Sequence, residues 1–240
     1  VCRIGPTVGW SSELGTVVLW GPTGRDDTGE VSDRTDDRPT IVCLDLEGVL
    51  VPEIWIAVAE ATGIDALRRT TRDEPDYDVL MRYRLDILAE HDLGLGDIQD
   101  VIAGLSPLNG AAAFLDELRD RTQVVILSDT FEQFAAPLMA QLGRPTILCH
   151  RLVADDAGNI TDYRLRQPDP KRSAVRAFHD LRYRVVAAGD SYNDTTMLVE
   201  ADHGFLFRSP ANVQAEFPQF RALETYADLL DCLSEAIAAG

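Results

Sequence analysis

Asp45 and Glu47 stand two residues apart at the end of a short apolar run, Ile41-Val42-Cys43-Leu44. Two later apolar runs end in similar polar sets. Gln123-Val124-Val125-Ile126-Leu127 leads into Ser128-Asp129-Thr130, and Arg184-Val185-Val186-Ala187-Ala188 into Gly189-Asp190-Ser191-Tyr192-Asn193-Asp194. Lys171 precedes the last run, behind Asp169-Pro170. Ligands of open parallel sheets bind beyond the carboxyl ends of the strands, so these side chains are expected to converge at one edge. Converging carboxylates repel each other unless a cation joins them. Oxygen-only ligands suit Mg²⁺ rather than Zn²⁺.

A set of this kind can move a phosphoryl group. A carboxylate is a competent nucleophile toward phosphorus, and an aspartyl-phosphate on Asp45 would split one hard displacement into two easier ones. The transition state needs in-line positioning and positive charge on its equatorial oxygens. Mg²⁺ and Lys171 can supply that charge, while Ser128 and backbone N–H groups supply hydrogen bonds. Glu47 is placed to protonate the leaving oxygen and then to activate water.

The elements that must position these residues are legible in outline. Apolar runs of strand length at 41–44, 123–127, 146–149, 184–188 and 204–207 alternate with helical stretches. Helices are expected at 53–62 (with Pro52 in the first turn and Gly63 as the stop), 77–91, 95–105, 111–119, 131–142 and 171–179. A short helix should follow Asn193, and a closing helix should begin near Tyr226. Residues 151–165 alternate around Asp156-Ala157-Gly158-Asn159 and read as a hairpin. The fold class implied is α/β, a Rossmann-like three-layer parallel sheet. Residues 40–52 and 107–240 form the core. The helical block 53–106, set between the first strand and its successor, is expected to be a small inserted cap that decides the substrate.

One cap residue stands out by helical phase. At about 100° per residue, Leu80, Tyr83, Ile87 and Leu88 form an apolar stripe, and Arg84 falls within it. An arginine there either snorkels to solvent or meets a buried anion. Arg82 projects to the opposite face, and Arg72 lies outside the helix.

Residues 1–39 differ from the rest. Positions 25–38 hold six acids and three arginines, a composition that buries little and is expected to be disordered. Only residues 15–20 hint at a strand. Gly21-Pro22-Thr23-Gly24 lacks the Gly-Lys-Ser/Thr continuation of a phosphate loop. Overall, 40 acids against 22 lysines and arginines give a formal charge of −18, which disfavours nucleic acid and anionic membranes as partners. No apolar run approaches the ~18 residues of a membrane span. The four scattered cysteines form no CxxC pair, and no secretory signal is visible, so the expectation is a reduced, cytoplasmic protein. His91, His150, His179 and His203 show no metal-ligand spacing and read as structural or surface residues. The sequence is compatible with a homo-oligomer and does not require one.

Taken in order, Asp45-x-Glu47-Gly48-Val49, Ser128-Asp129-Thr130, Lys171 and Gly189-Asp190-Ser191-x-Asn193-Asp194 resemble the four motifs of the haloacid dehalogenase superfamily, over about residues 41–225. The stretches 44–55, 126–131 and 187–197 are similar to its phosphoserine phosphatase branch, and most of all to the bifunctional phosphoserine phosphatase/homoserine phosphotransferases. The resemblance implies Asp45 as nucleophile and Mg²⁺ ligand, and Glu47 as general acid/base that also offers its backbone carbonyl to the metal. It implies Asp190 as the third protein ligand, with Asp194 supporting these ligands or Lys171. Ser128 and Asp129 would line the phosphate site and Asn193 would touch substrate. Glu53 would bind the ammonium of phosphoserine and Arg84 its carboxylate. Most phosphatases of the superfamily carry Asp where Glu47 stands. The longer side chain moves the acid by about one methylene, ~1.5 Å, and the resembled branch shares it. That is compatible with transfer of the phosphoryl group to homoserine in competition with water.

Two other classes use related residues. Receiver domains of signalling proteins also phosphorylate an Asp beside Mg²⁺ and Lys, but they are about half this length and have no helical insert. A dehalogenase has no use for an acid at position 47. A phosphatase of another small ester is the remaining competitor, and the cap decides between the two.

Overall fold

In the computed structural model, which describes residues 36–71, 73–74 and 76–239, side-chain alternation along the first strand, β1 (Thr40–Leu44), divides the core. Ile41 and Cys43 join one apolar cluster, and Val42 and Leu44 join another. Period-two alternation with both sets buried is what a central strand of a covered sheet requires. The expected N-terminal extension, its strand at 15–20, the 21–24 loop and Arg72 fall outside the described residues. Residues 36–39, assigned on composition to that extension, are tied to the fold. The Arg38 guanidinium donates to Asp202 at 3.0 Å and to the Tyr183 carbonyl at 3.3 Å, and the Arg184 N–H donates to the Pro39 carbonyl at 2.9 Å.

After β1 the chain runs through α1 (Ile54–Thr62), a 3₁₀ turn (Asp65–Arg68), α2 (Tyr77–Glu90) and α3 (Leu95–Ala103). The left-handed Gly63 (φ 71°) stops α1, and the Asp76 side chain caps α2 by accepting from the Asp78 and Val79 amides. It returns through α4 (Ala111–Arg119), β2 (Gln123–Phe131), α5 (Glu132–Gln141), β3 (Thr146–Ala154) and β4 (Ile160–Arg164). It closes with α6 (Pro170–Asp180), β5 (Arg184–Gly189), a 3₁₀ turn (Tyr192–Asp194), α7 (Thr195–Glu200), β6 (His203–Phe207), α8 (Ala211–Glu216), β7 (Arg221–Leu223) and α9 (Tyr226–Ala238). The sheet order is β4-β3-β2-β1-β5-β6-β7, parallel except for the β3–β4 pair. Helices α4, α5 and α9 cover the Val42/Leu44 face, and α6, α7 and α8 cover the other. This is the three-layer arrangement expected from the alternating pattern.

Beyond residues 36–39, the structure departs from the sequence reading in four places. Strand β3 runs unbroken through Ala154, so the strand expected at 146–149 is also the first arm of the hairpin. Strand β2 continues through Ser128-Asp129-Thr130 to Phe131, which pairs with His150 after an irregularity beyond Leu127. Pro52 lies ahead of α1 rather than in its first turn. The short α8 and β7 carry too little local pattern to be expected, and they form because Val213 and Leu223 are buried against the sheet.

The segment 54–103 does not stand apart from the core. Trp55, Val58, Leu85 and Ile98 belong to the same apolar cluster as Leu44, Ile126 and Phe134. The β3–β4 hairpin grips it as well. Arg82 donates to Asp162 at 2.8 Å and lies over the Tyr163 ring at 5.2 Å. The Tyr163 hydroxyl donates to Asp78, and the Leu95 N–H donates to the Gly158 carbonyl at 2.8 Å. No helix among the described residues is long and apolar enough to cross a membrane.

Candidate active site

The sheet order puts β1 between β2 and β5, so successive connections leave in opposite directions there and open a crevice beyond the strand ends. Asp45 stands at that point, with its N–H donating to the Ala188 carbonyl at 3.0 Å. The next turn is tight. Leu50 and Val51 donate to the Leu46 carbonyl at 2.8 and 3.0 Å, and Gly48 sits at φ +76°. A Cβ on Gly48 would lie 2.5 Å from the Asp190 carboxyl carbon, so a glycine is needed for both reasons. The turn after β1 and the acid after β5 are thereby pressed together.

Lys171 is brought in by Pro170 at the first turn of α6. Its ammonium is only 2 % exposed and donates to Asp45 Oδ1 at 2.8 Å and to Asp194 Oδ1 at 2.6 Å. Asp129 Oδ2 is 3.6 Å away. Burial alone would lower the pKa of Lys171. The charges of Asp194, Asp45 and Asp129 reverse that and hold its pKa well above the usual lysine value. Asp194 also accepts at Oδ2 from the Asp190 and Ser191 amides, at 3.0 and 3.1 Å.

Carboxylate oxygens of Asp45, Asp190 and Asp194 lie within 4.8 Å of one another, all buried. Burial, then Asp194 and Asp190, push the Asp45 carboxyl well above its ordinary value, with Lys171 opposing. Such a cluster is short of positive charge, and its oxygen-only donors fit a hard divalent cation. Both Asp194 oxygens are already engaged, by Lys171 and by the loop amides.

Glu47 is oriented by a helix. Its Oε2 accepts the Ile54 N–H at 2.8 Å, serving the start of α1 that Glu53, in the N-cap position, leaves without a side-chain bond. Burial, then the neighbouring Glu53, push its pKa up to about 7, against the Ile54 amide, Arg84 and Lys171. Ser128 is buried and its Oγ accepts from the Thr130 amide at 3.2 Å. Asp129 is bound on both sides. Oδ2 accepts from Asn193 Nδ2 at 2.8 Å, and Oδ1 faces His150 Nε2 at 3.6 Å. Burial would raise its pKa, but Lys171, His150 and Asn193 together hold the carboxyl well below the usual range.

Arg84 is buried, 6 % exposed, as its place in the stripe requires of one alternative. It does not snorkel. Nη2 donates to the Arg69 carbonyl at 2.8 Å, Cζ lies 4.6 Å from the centre of the Trp55 ring, and Nε has no partner. No carboxylate among the described residues pairs with it. Burial drives its pKa down to about 10. Arg82 points away and is exposed.

One cavity of about 580 Å³ is lined by Asp45, Glu47, Glu53, Arg84, Ser128, Asp129, Lys171, Asp190 and Asn193. Asp194 stands behind Lys171 and does not line it. The cavity wall also includes Trp55 and Tyr77, which the sequence pattern does not single out. Trp55 repeats with Val58 and Ala59 and so resembles ordinary core. Tyr77 opens a helix, and its hydroxyl donates to the Asp129 carbonyl at 3.0 Å, a contact with no local signature. His150, read as structural or surface, is buried beside Asp129.

The haloacid dehalogenase-like hydrolase family model matches residues 39–202. Phosphoserine phosphatase ThrH of Pseudomonas aeruginosa is 68% identical over 189 residues, covering 79% of this chain and 92% of that protein. A phosphoserine phosphatase of Pseudomonas syringae pv. tomato is 66% identical over 189 residues, covering 79% of this chain and 80% of the other. Among solved structures, a substrate-bound phosphoserine phosphatase complex superposes with a TM-score of 0.67 at 20% identity, over 79% of this chain and 94% of that one. At that identity the likeness concerns the fold.

Proposed function

Given that the chain belongs to the haloacid dehalogenase-like hydrolase family, we propose that it is a phosphoserine phosphatase working through a phosphorylated Asp45. The observation that carries the mechanism is the buried Lys171 ammonium, bonded at once to Asp45 and to Asp194. It orients Asp45 at the sheet's switch point and opposes the burial that disfavours its anion. An Asp45 oxygen attacks the phosphorus of O-phospho-L-serine, and the P–O bond to the serine oxygen breaks. Glu47 gives that oxygen its proton, so L-serine leaves neutral at the hydroxyl. Glu47, now ionised, takes a proton from water as the water attacks the aspartyl-phosphate, which frees phosphate and restores Asp45. Lys171 and the Ser128 hydroxyl donate to the phosphoryl oxygens, and Asp129 and Asn193, bonded to each other, line the same site.

We take the metal to be Mg²⁺, held by the Asp45 and Asp190 carboxylates and the Glu47 carbonyl. When bound it neutralises nucleophile and phosphoryl group and aligns them. We read residues 53–106 as the cap, with Glu53 taking the substrate ammonium and Arg84 the carboxylate. A buried guanidinium with an unpaired Nε and no protein carboxylate is costly unless substrate completes it. The 66–68% relatives, both named phosphoserine phosphatases, support this substrate. L-homoserine carries the same ammonium and carboxylate with one more methylene, and Glu47 can deprotonate its hydroxyl as it does water. Transfer to homoserine is therefore part of the proposal. Buried, unpaired Cys43, Cys149 and Cys232 favour a reducing, cytoplasmic setting.

The test is Mg²⁺-dependent phosphate release from L-phosphoserine, with and without L-homoserine, assaying for O-phosphohomoserine. Turnover of phosphoserine with part of the phosphate diverted to homoserine is expected. No turnover of phosphoserine, with good turnover of another small ester, would overturn the substrate while sparing the mechanism.

A further inference from the structure

We propose that Trp55 is a positioning residue that sets selectivity for esters bearing an α-carboxylate, by fixing the plane in which Arg84 offers its N–H groups. The inference rests on the reading of Arg84 as the carboxylate partner. Trp55 is nearly buried, yet it lines the cavity and lies beneath the guanidinium, 4.6 Å from ring centre to Cζ. A guanidinium over an aromatic face directs its donors sideways, in its own plane. The Arg69 carbonyl takes one of those donors, on Nη2, and Met81 Sδ lies 3.8 Å from Nη1. Ring and carbonyl together limit how the guanidinium can turn, and its buried Nε keeps no protein partner. Planar carboxylates match such an edge with two parallel hydrogen bonds.

The ring is itself located from the phosphate side. Trp55 meets Phe134 edge-on, with centroids 5.5 Å apart, and Phe134 meets Phe131 at 5.7 Å. Phe131 ends the strand that carries Ser128 and Asp129. The series Phe131–Phe134–Trp55–Arg84 thus references the carboxylate reader to the phosphate site, so that both ends of one small substrate are met together.

The experiment compares L-phosphoserine with O-phosphoethanolamine, which keeps phosphate and ammonium but lacks the carboxylate. The readout is the ratio of their kcat/KM values in wild type, Trp55→Leu, Trp55→Phe, Arg84→Ala and the double variant Trp55→Leu/Arg84→Ala. Trp55→Leu should lower the ratio by about tenfold, through KM for phosphoserine. Trp55→Phe, which keeps an aromatic face and can pack on Phe134, should stay within about threefold of wild type. The double variant should discriminate no less than Arg84→Ala alone. Equal losses on both substrates in Trp55→Leu, or losses that multiply in the double variant, would overturn the role of Trp55. If Trp55→Leu does not fold, Trp55→Met takes its place in the single and double variants, with the same expected fall in the ratio and the same overturning results. A ratio unmoved by Arg84→Ala sinks the carboxylate reading itself, whereas a collapse in Arg84→Ala without one in Trp55→Leu sinks only the role of Trp55.

Discussion

Glu47 Oε2 accepts a hydrogen bond from the Ile54 N–H at 2.8 Å, so the acid beside Asp45 also completes the first turn of α1. A helix N-terminus leaves its first amides unpaired, and an anionic acceptor there is favoured by the helix dipole. Glu47→Gln keeps an acceptor at this position and Glu47→Ala removes it. Both should lose most phosphoserine turnover. Only Glu47→Ala should lose stability, by about 1 kcal/mol in the range 0.5–2. Denaturant unfolding of the pair provides the check, and equal midpoints would remove the capping role.

The same residue predicts a pH dependence. With its pKa pushed up to about 7 by burial and then by Glu53, Glu47 is largely protonated below that value and ionised above it. Departure of the serine oxygen needs the proton, so phosphorylation of Asp45 by phosphoserine should slow as pH rises through about 7. An aryl phosphate, whose leaving oxygen needs no proton, should lack that limb. Rapid-quench measurement of the first half-reaction separates the two, and an identical limb for both esters would count against Glu47 as the acid.

Asp45→Asn should abolish turnover, by at least about 10³-fold, without lowering stability in metal-free buffer. The sign follows from the raised pKa of Asp45, caused by burial and then by Asp194 and Asp190. An acid whose folded pKa lies above its unfolded one contributes least stability at high pH, where it must be ionised in both states. The amide has no such cost. Thermal melts at pH 7 should show Tm maintained or raised in the variant, and a larger gain on adding Mg²⁺ in wild type. A variant that melts well below wild type without Mg²⁺ contradicts the reading.

Arg84→Ala should raise KM for phosphoserine by roughly 10- to 150-fold, the range for loss of charge-assisted hydrogen bonds worth about 1.5–3 kcal/mol. An aryl phosphate, which has no carboxylate to lose, should change by less than about threefold. Steady-state kinetics on both substrates decides, and equal losses would remove Arg84 from carboxylate binding.

What is readable in the sequence follows from physics that acts locally. Asp45, Asp129 and Asp190 are conspicuous because each follows an apolar run, and strands β1 and β5 begin and end within a residue or so of those runs. Arg84 is conspicuous because helical phase places a charge where only apolar side chains belong. Contacts that depend on the folded chain leave no such trace. The passage of β2 through three polar residues to Phe131 is stabilised by its neighbour strand, not by the composition of 128–130. The family resemblance leaves Asp194 supporting either the metal ligands or Lys171, and only the folded loop puts its Oδ1 2.6 Å from the ammonium. Trp55 is apolar on a helix, and nothing in its own segment tells that a guanidinium 29 positions later will lie on its face.

The grip of the β3–β4 hairpin on α2 and α3 bears on how specificity could be exchanged between relatives. Arg82 with Asp162, Asp78 with Tyr163, and Leu95 with Gly158 join two stretches that are distant along the chain. A graft of residues 53–106 alone would put both side-chain bonds at the mercy of the recipient's residues at 162 and 163, leaving only the backbone bond from Leu95 independent of sequence. On the cap reading proposed above, the unit to transfer is therefore discontinuous, comprising that helical segment together with residues 146–164. A chimera that carries both pieces keeps its seam intact.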